Sequence, residues 1–410
     1  MRKLAFDMLD KDFIKKTLKK KRPSPNTKWF GEPNLGSFYD KKEVNAVIRV
    51  LEKSRHWSVG FGPNPIELKK FESDFAKYCG TKHAIAVSNN GDGFDMVLNT
   101  LNLKSNDEVI APALNFKAWH MVLLRYNCKC VFVDIDPETL NIDLNDLEKK
   151  ITKKTRVILP VHLSGLSCDI DSIDDLAKYY SKKNNKKIFV IYDSARATGG
   201  NYKNRKIGTG GYCEIFSFHT AKPMTTLGEG GMVTTNSNYL AKQLYQMRSY
   251  GGEDSWGMNY RMSKLQAVFG IQQIKKLDKL NRLRIKNSKR RNQNLKGYKK
   301  FILPKDTSYS QNIYYLYPLR LSAECKKNDR DKIVKILEDK YGIVCSVPKF
   351  INERWNYIKK KFGVPKLKNT KFVTDRLLCP IMHSQINEKQ ENYISAALIN
   401  CVESYFKSIK

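Results

Sequence analysis

The chain reads as an α/β protein built on a largely parallel sheet. The first observation is a rhythm. Short apolar runs, AIAVS (84–88), EVIAP (108–112), CVFVD (130–134), RVILPV (156–161) and KIFVIYD (187–193), alternate with helical segments. This is the signature of βαβ units, whose right-handed crossovers lay helices on both faces of the sheet. The second is a change of grammar after Gly251. A long helical stretch from about Met262 to Lys296 leads into YYLYPLRL, RDKIVKILEDKYGIVCSVP and ENYISAALINCVESYF, which suit a small α+β domain. The expected division is an arm and first helix at 1–60, a large domain at 61–290 and a small C-terminal domain at 291–410, as the length of 410 residues suggests for a chain beyond one core.

In order, residues 1–28 form a lysine-rich arm ending in the breaker-rich RPSPNTK, ordered only against something else. Asp40-Lys41-Lys42-Glu43 is a capping-box pattern, and Val44, Val47, Ile48 and Leu51 follow at helical spacing. The hinge VGFGPNP precedes a helix with Leu68, Phe71, Phe75 and Tyr78 on one face, which stops at Gly80. The βαβ rhythm then begins.

Composition narrows the function classes. Hydrophobic residues make up 41% and aromatics 11%, with a mean hydropathy of -0.53, and no long uncharged apolar run offers a membrane span. Asp7, Asp10 and Asp12 interrupt any signal-peptide core, so a cytoplasmic location is expected. Nine cysteines without a CxxC pair read as reduced rather than as a disulfide framework or zinc site. The net charge of +33 raises nucleic-acid binding. The lysines are spread along the whole chain without interleaved stacking aromatics, so no dedicated nucleic-acid role is expected. A positive field would still attract phosphate-bearing small molecules.

In such sheets the ligand lies beyond the carboxyl ends of the strands, so the residues there carry the chemistry. SFHTAKPMTTLGEGG (217–231) places Lys222 five residues after Ser217 and ahead of a glycine-rich run. A lysine held in one place and partly desolvated can form an imine with an aldehyde cofactor. After AIAVS comes Ser88-Asn89-Asn90-Gly91-Asp92-Gly93 at a helix start, where backbone N–H groups make an anion site. A carboxylate 4 Å from a phosphate would cost about 4 kcal/mol per unit charge at an effective dielectric of about 20. The side chain of Asp92 is therefore expected to cap the helix while only its N–H faces the anion. Phe116, after EVIAP, could stack on a flat heterocycle, or fill core. Asp193 ends its strand and needs a partner: a protonated ring nitrogen, Arg196, or the next helix's N-terminus as a cap.

These residues together resemble the DegT/DnrJ/StrS group of pyridoxal-phosphate aminotransferases. The resemblance runs through FESDFAKYCGTKHAIAVSN, DEVIAPALNFKAW, VFVDIDPETLNID, VILPVHLSGLSCDID, YDSARATGGNYKNRKIGT, SFHTAKPMTTLGEGG and NYRMSKLQA, and more weakly CPIMHSQINEKQ, over about residues 38–400. It implies a fold type I aminotransferase: a large domain with a seven-stranded, mostly parallel sheet, a small α+β C-terminal domain, and a homodimer with shared sites. By the same resemblance Lys222 is the Schiff-base lysine, Asp193 the partner of the pyridine nitrogen and Phe116 the stacking aromatic. Ser217 and the turn at Gly91-Asp92 hold the phosphate of pyridoxal 5′-phosphate, and Asn259 reaches that phosphate from the partner subunit. Two positions depart from the family: Asp92 stands where a threonine is usual, and Arg196 where Gln or His faces the phenolic oxygen. The implied reaction moves an amino group from L-glutamate to a keto sugar, most often nucleotide-linked, for an amino sugar of a surface polysaccharide or secondary metabolite. Alternatives are a free keto-sugar phosphate or cyclitol ketone as acceptor, a sugar dehydratase (whose relatives carry histidine where Lys222 stands), and a basic regulatory or nucleic-acid-binding protein on the same scaffold.

Overall fold

The computed structural model describes residues 11–19, 38–253, 255–348 and 355–409. Elements run α1 (Lys11–Lys19), α2 (Lys41–Ser54), α3 (Ile66–Cys79), β1 (His83–Val87), α4 (Asn90–Thr100), β2 (Glu108–Pro112), α5 (Ala118–Leu123), β3 (Lys129–Val133), α6 (Leu144–Lys150), β4 (Thr155–Ile158), α7 (Ile170–Lys183) and β5 (Phe189–Asp193). A short hairpin, β6 (Asn201–Tyr202) and β7 (Arg205–Lys206), precedes β8 (Cys213–Ser217), β9 (Gly231–Thr235), α8 (Asn238–Met247) and α9 (Lys264–Leu295). The rest is β10 (Phe301–Ile302), β11 (Leu319–Leu321), α10 (Lys327–Tyr341), β12 (Cys345–Ser346), α11 (Asn356–Phe362), α12 (Lys368–Thr374), β13 (Leu377–Pro380) and α13 (Glu388–Ser408).

The main sheet is seven-stranded, in the order β1-β9-β8-β5-β4-β2-β3. β9 runs antiparallel to β1 and β8, and the other pairings are parallel. This is the fold type I arrangement, and the strands expected from the apolar runs are all present. A second sheet, β10-β11-β13-β12, has its own core with α10 and α13. In that core Arg291 donates to both carboxylate oxygens of Glu391, at 2.7 and 2.8 Å, in full burial.

Local chemistry sets the element ends. Asp40 and Glu43 form the expected capping box, and Gly80 closes α3 at φ 78°, which glycine adopts without a Cβ clash. Beneath α3, Phe75 meets Phe216 and Phe218 edge-on, with centroids 5.0 and 5.4 Å apart. Each such buried ring contributes about 1.5–3 kcal/mol. Strand alternation turns Ser217, between the two phenylalanines, away from that core.

The apolar stripe of α2 faces the other way from the one its spacing suggests. Glu43, Ala46 and Val50 are buried against α9, with Gln273 Nε2 donating to Glu43 Oε1 at 2.7 Å. Val44, Ile48 and Leu51 stay 42–45% exposed. Of the N-terminal arm, α1 packs on α13 through Ile14, and the remaining arm residues, 1–10 and 20–28, lie outside the described ones. Among the described residues no helix is long and apolar enough to cross a membrane, and none group into a cluster that could hold a metal ion.

Candidate active site

Parallel strands end together, and four of these ends build one cavity of about 410 Å³. It is lined by Asn89, Asn90 and Gly91 after β1, Asn115 and Phe116 after β2, Asp193 and Arg196 at the end of β5, and Ser217, His219, Lys222 and Glu229 between β8 and β9. In the sheet, Gly231 lies opposite both Val87 and Ser217, so the start of β9 joins the two turns that flank the cavity.

The lysine loop is laced by its own backbone. Phe218 N–H donates to Gly230 O at 2.8 Å, Thr220 N–H to Gly228 O at 2.9 Å, and Lys222 N–H to His219 O at 2.9 Å. Gln266 on α9 ties Glu229 O at 2.8 Å. Lys222 is buried, and its Nζ lies 5.3 Å from the centre of the Tyr315 ring.

Asp193 is held on both sides. Its N–H donates to Pro160 O at 2.9 Å and its carbonyl accepts His162 N–H at 3.1 Å. The carboxylate accepts Ala195 N–H at 3.1 Å and Asn115 Nδ2 at 3.3 Å, which fixes its orientation. Behind it, Ser194 Oγ donates to the fully buried Glu214 at 2.6 Å, and Glu214 also accepts Gly210 N–H at 2.8 Å. His120, four residues beyond Phe116, is fully buried, and burial pushes its imidazole down to about 3, so it is neutral and no acid–base candidate.

The turn after β1 differs from expectation. The N-cap of α4 is Asn89, whose side chain accepts Asp92 N–H at 3.0 Å. Asp92 therefore sits in the first turn of the helix, with its N–H already bonded. Its carboxylate takes a hydrogen bond from Ser88 Oγ and one from Asn89 Nδ2 at 2.7 Å, and burial raises its carboxyl above the usual range. The expected cap role passes to Asn89, because an extended φ of -163° there lets the helix begin one turn earlier. Asn90 and Gly91, whose first-turn N–H groups have no intrahelical acceptor, line the cavity, and Asp92 is not among the residues that line it.

Phe116 is at the cavity wall, 46% exposed. Arg196 lies there too, buried, its guanidinium carbon 5.8 Å from the Tyr315 ring centre. Asn259 is exposed, accepts Arg261 N–H at 3.4 Å, and is not among the residues lining its own chain's cavity. The sequence reading missed Tyr315, Asn115, His219 and Glu229. Position after a strand could have singled out Asn115, whereas Tyr315 carries no local signal.

The donor set fits pyridoxal phosphate. Helix N–H groups and the Ser217 hydroxyl suit its phosphate, Asp193 suits a protonated ring nitrogen, and Lys222 offers the primary amine its aldehyde needs. The fold and this cavity define the class of fold type I pyridoxal-phosphate enzymes. The chain belongs to the DegT/DnrJ/EryC1/StrS aminotransferase family, whose model matches residues 38–399. It is a PLP-dependent aminotransferase. GDP-perosamine synthase of Caulobacter vibrioides is 35% identical over 73% of this chain and 79% of that protein. The spore coat polysaccharide biosynthesis protein SpsC of Bacillus subtilis is 31% identical over 79% and 84%. The structure also superposes on Helicobacter pylori PseC, an aminotransferase involved in pseudoaminic acid biosynthesis, with a TM-score of 0.82 and 25% identity, covering 92% of this chain and 100% of that one.

Proposed function

We propose that this enzyme moves an amino group from L-glutamate to a keto sugar, a nucleotide-linked keto-deoxy sugar above all, in the biosynthesis of an amino sugar. The observation that carries the reading is the convergence of Lys222, Asp193 and the first turn of α4 on one cavity. The relatives support the substrate class, since the perosamine synthase and PseC are named for amino sugars.

When bound, the cofactor supplies an electron sink for the pair left at the donor's α-carbon as its proton departs. Asp193, oriented by Ala195 N–H and Asn115, would pair with the protonated ring nitrogen. Lys222 would serve as the general base that takes the donor's α-proton and then as the acid that gives it back across the nitrogen. Ser217 and the N–H groups of Asn90 and Gly91 hold the phosphate. Phe116 would cover the cofactor's ring, and Arg196 would neutralise an anionic oxygen on it.

The working unit in this proposal is a homodimer. The exposed face of α2, with Val44, Ile48 and Leu51, continues into Trp57, Val59, Phe61 and Ile66, all exposed. Exposed apolar residues such as these support an interface, and in the proposal a second copy brings Asn259 toward the phosphate. The division into 1–60, 61–290 and 291–410 is part of the same proposal, supported by the two separate sheets. The activity test is a panel of keto-sugar nucleotides, keto-sugar phosphates and cyclitol ketones with L-glutamate, scored by 2-oxoglutarate. Turnover is expected first with the nucleotides; turnover confined to the free phosphates or cyclitols would overturn the choice of acceptor.

A further inference from the structure

One buried aromatic ring serves both cations of the site. Lys222 Nζ stands 5.3 Å from the centre of the Tyr315 ring and the Arg196 guanidinium carbon 5.8 Å from it. Tyr315 is wholly buried, and Lys222 and Arg196 nearly so. A cation near an aromatic ring gains most from the ring's quadrupole when both are out of water.

The backbone that delivers this ring is unusual. The chain before β11 crosses the loop after β4 so closely that Ile313 N–H donates to Gly165 O at 3.1 Å and Leu316 N–H to Ser164 O at 3.3 Å. Three residues at the crossing are left-handed: Ser164 at φ 59°, Gly165 at 101° and Tyr314 at 54°. A Cβ on residue 165 would stand 2.7 Å from Ile313 Cγ1 and 3.0 Å from Tyr315 N. Tyr314 is locked by its N–H on Asn312 Oδ1 at 2.7 Å. Left-handed conformations outside glycine persist only where the surroundings over-determine them, and they concentrate at functional sites. Here the strain's product is the placement of the next side chain, Tyr315.

A Schiff-base lysine alternates between a bonded and an unbonded state, and its flexible stem lets an unbonded amine wander. We propose that Tyr315 is a positioning residue whose ring face seats the Lys222 amine beside Arg196 whenever the lysine is not linked to the cofactor. The bond that follows is a C=N bond: the ammonium sheds a proton to water and attacks as the neutral amine, and the aldehyde oxygen leaves as water. This inference rests on the assignment of Lys222 as the cofactor-linked lysine. It assigns the effect to the ring, with no role for the phenol hydroxyl.

The test compares wild type, Tyr315→Phe, Tyr315→Leu and Lys222→Ala as full-length proteins freed of cofactor, each checked for an unchanged melting temperature. One readout is the rate at which pyridoxal phosphate becomes fixed to the Lys222 peptide on borohydride quenching. The other is the affinity for pyridoxamine phosphate, which needs no lysine bond. Tyr315→Leu should fix pyridoxal phosphate about tenfold more slowly, because an amine no longer held against the ring is less often oriented for attack, while binding pyridoxamine phosphate normally. Tyr315→Phe should match wild type in both. Equal losses in the Phe and Leu variants would transfer the role to the hydroxyl and overturn the proposal. So would an unchanged rate in the Leu variant, or a parallel loss of pyridoxamine phosphate affinity, which would mark a merely structural ring. Lys222→Ala reports separately: if it still fixes the cofactor at full stoichiometry elsewhere, the lysine assignment itself fails.

Discussion

Gly231 is the residue at which a single methyl group should damage the cofactor site most selectively. It begins β9, opposite Val87 on one side and Ser217 on the other. A Cβ there would stand 2.6 Å from Asn89 C, 2.8 Å from Asn89 O and 2.9 Å from Asn90 N. These are backbone atoms of the phosphate turn, so no side-chain rotation relieves the contact. Restoring an ordinary separation of at least 3.4 Å requires the turn to retreat by several tenths of an ångström, which carries the Asn90 and Gly91 N–H groups away from the anion. Forced overpacking of this kind costs about 1–3 kcal/mol. Expressed in binding, that is roughly a fivefold to 150-fold weaker hold, since each 1.4 kcal/mol is about tenfold. The assay is the dissociation constant of pyridoxal phosphate for Gly231→Ala, by fluorescence or absorbance titration, with inorganic phosphate as a competitor. Phosphate competition should weaken in step. An affinity within twofold of wild type would show that the turn after β1 does not hold the phosphate.

Three further outcomes follow from the same structure. Arg248 is the buried partner of Glu72 and also donates to Ala86 O at 3.0 Å; Arg248→Met should destabilise by about 3–5 kcal/mol by leaving a buried carboxylate uncompensated. Burial already raises the Glu72 carboxyl above its ordinary 4.5, against the pull of Arg248. A raised carboxyl lends stability at low pH that is lost as pH rises through its folded value, so the melting-temperature deficit should be smallest near pH 4.5 and widen toward pH 8. Mixing Lys222→Ala with Asn259→Ala subunits, each inactive alone, should restore up to about a quarter of wild-type activity through hybrid dimers with one intact site; no recovery after exchange would place Asn259 outside its partner's site. Ile48→Lys combined with Leu51→Lys should convert a dimer to monomers in light scattering, and a dimer unchanged by both would move the interface off α2.

Much of the fold was legible because its signals are local. The apolar runs named five strands, Asp40 and Glu43 marked the start of α2, and Gly80 marked the end of α3. Lys222, Asp193, Arg196, Ser217, Phe116 and Gly91 were legible for a related reason, since strand ends converge and these residues follow strands. Other features depend on tertiary context. SNNGD offers several capping side chains, and only the extended backbone at Asn89 decides that it, and not Asp92, caps the start of α4. The stripe Val44, Ile48 and Leu51 has the period of a core face, yet spacing says nothing about which side meets α9, and there the buried Glu43 is paid for by Gln273 and Lys276. Tyr315 was invisible because its place depends on a crossing with Ser164 and Gly165, far away in sequence.

The most direct test of the account is to identify the lysine that carries the cofactor. Holoenzyme reduced with borohydride and digested should yield one cofactor-bearing peptide, with the label on Lys222, and prior incubation with L-glutamate should abolish it by converting the cofactor to its amine form. Label on another lysine, or on Lys222 but untouched by glutamate, would contradict the assignment of Lys222 and the transamination it serves.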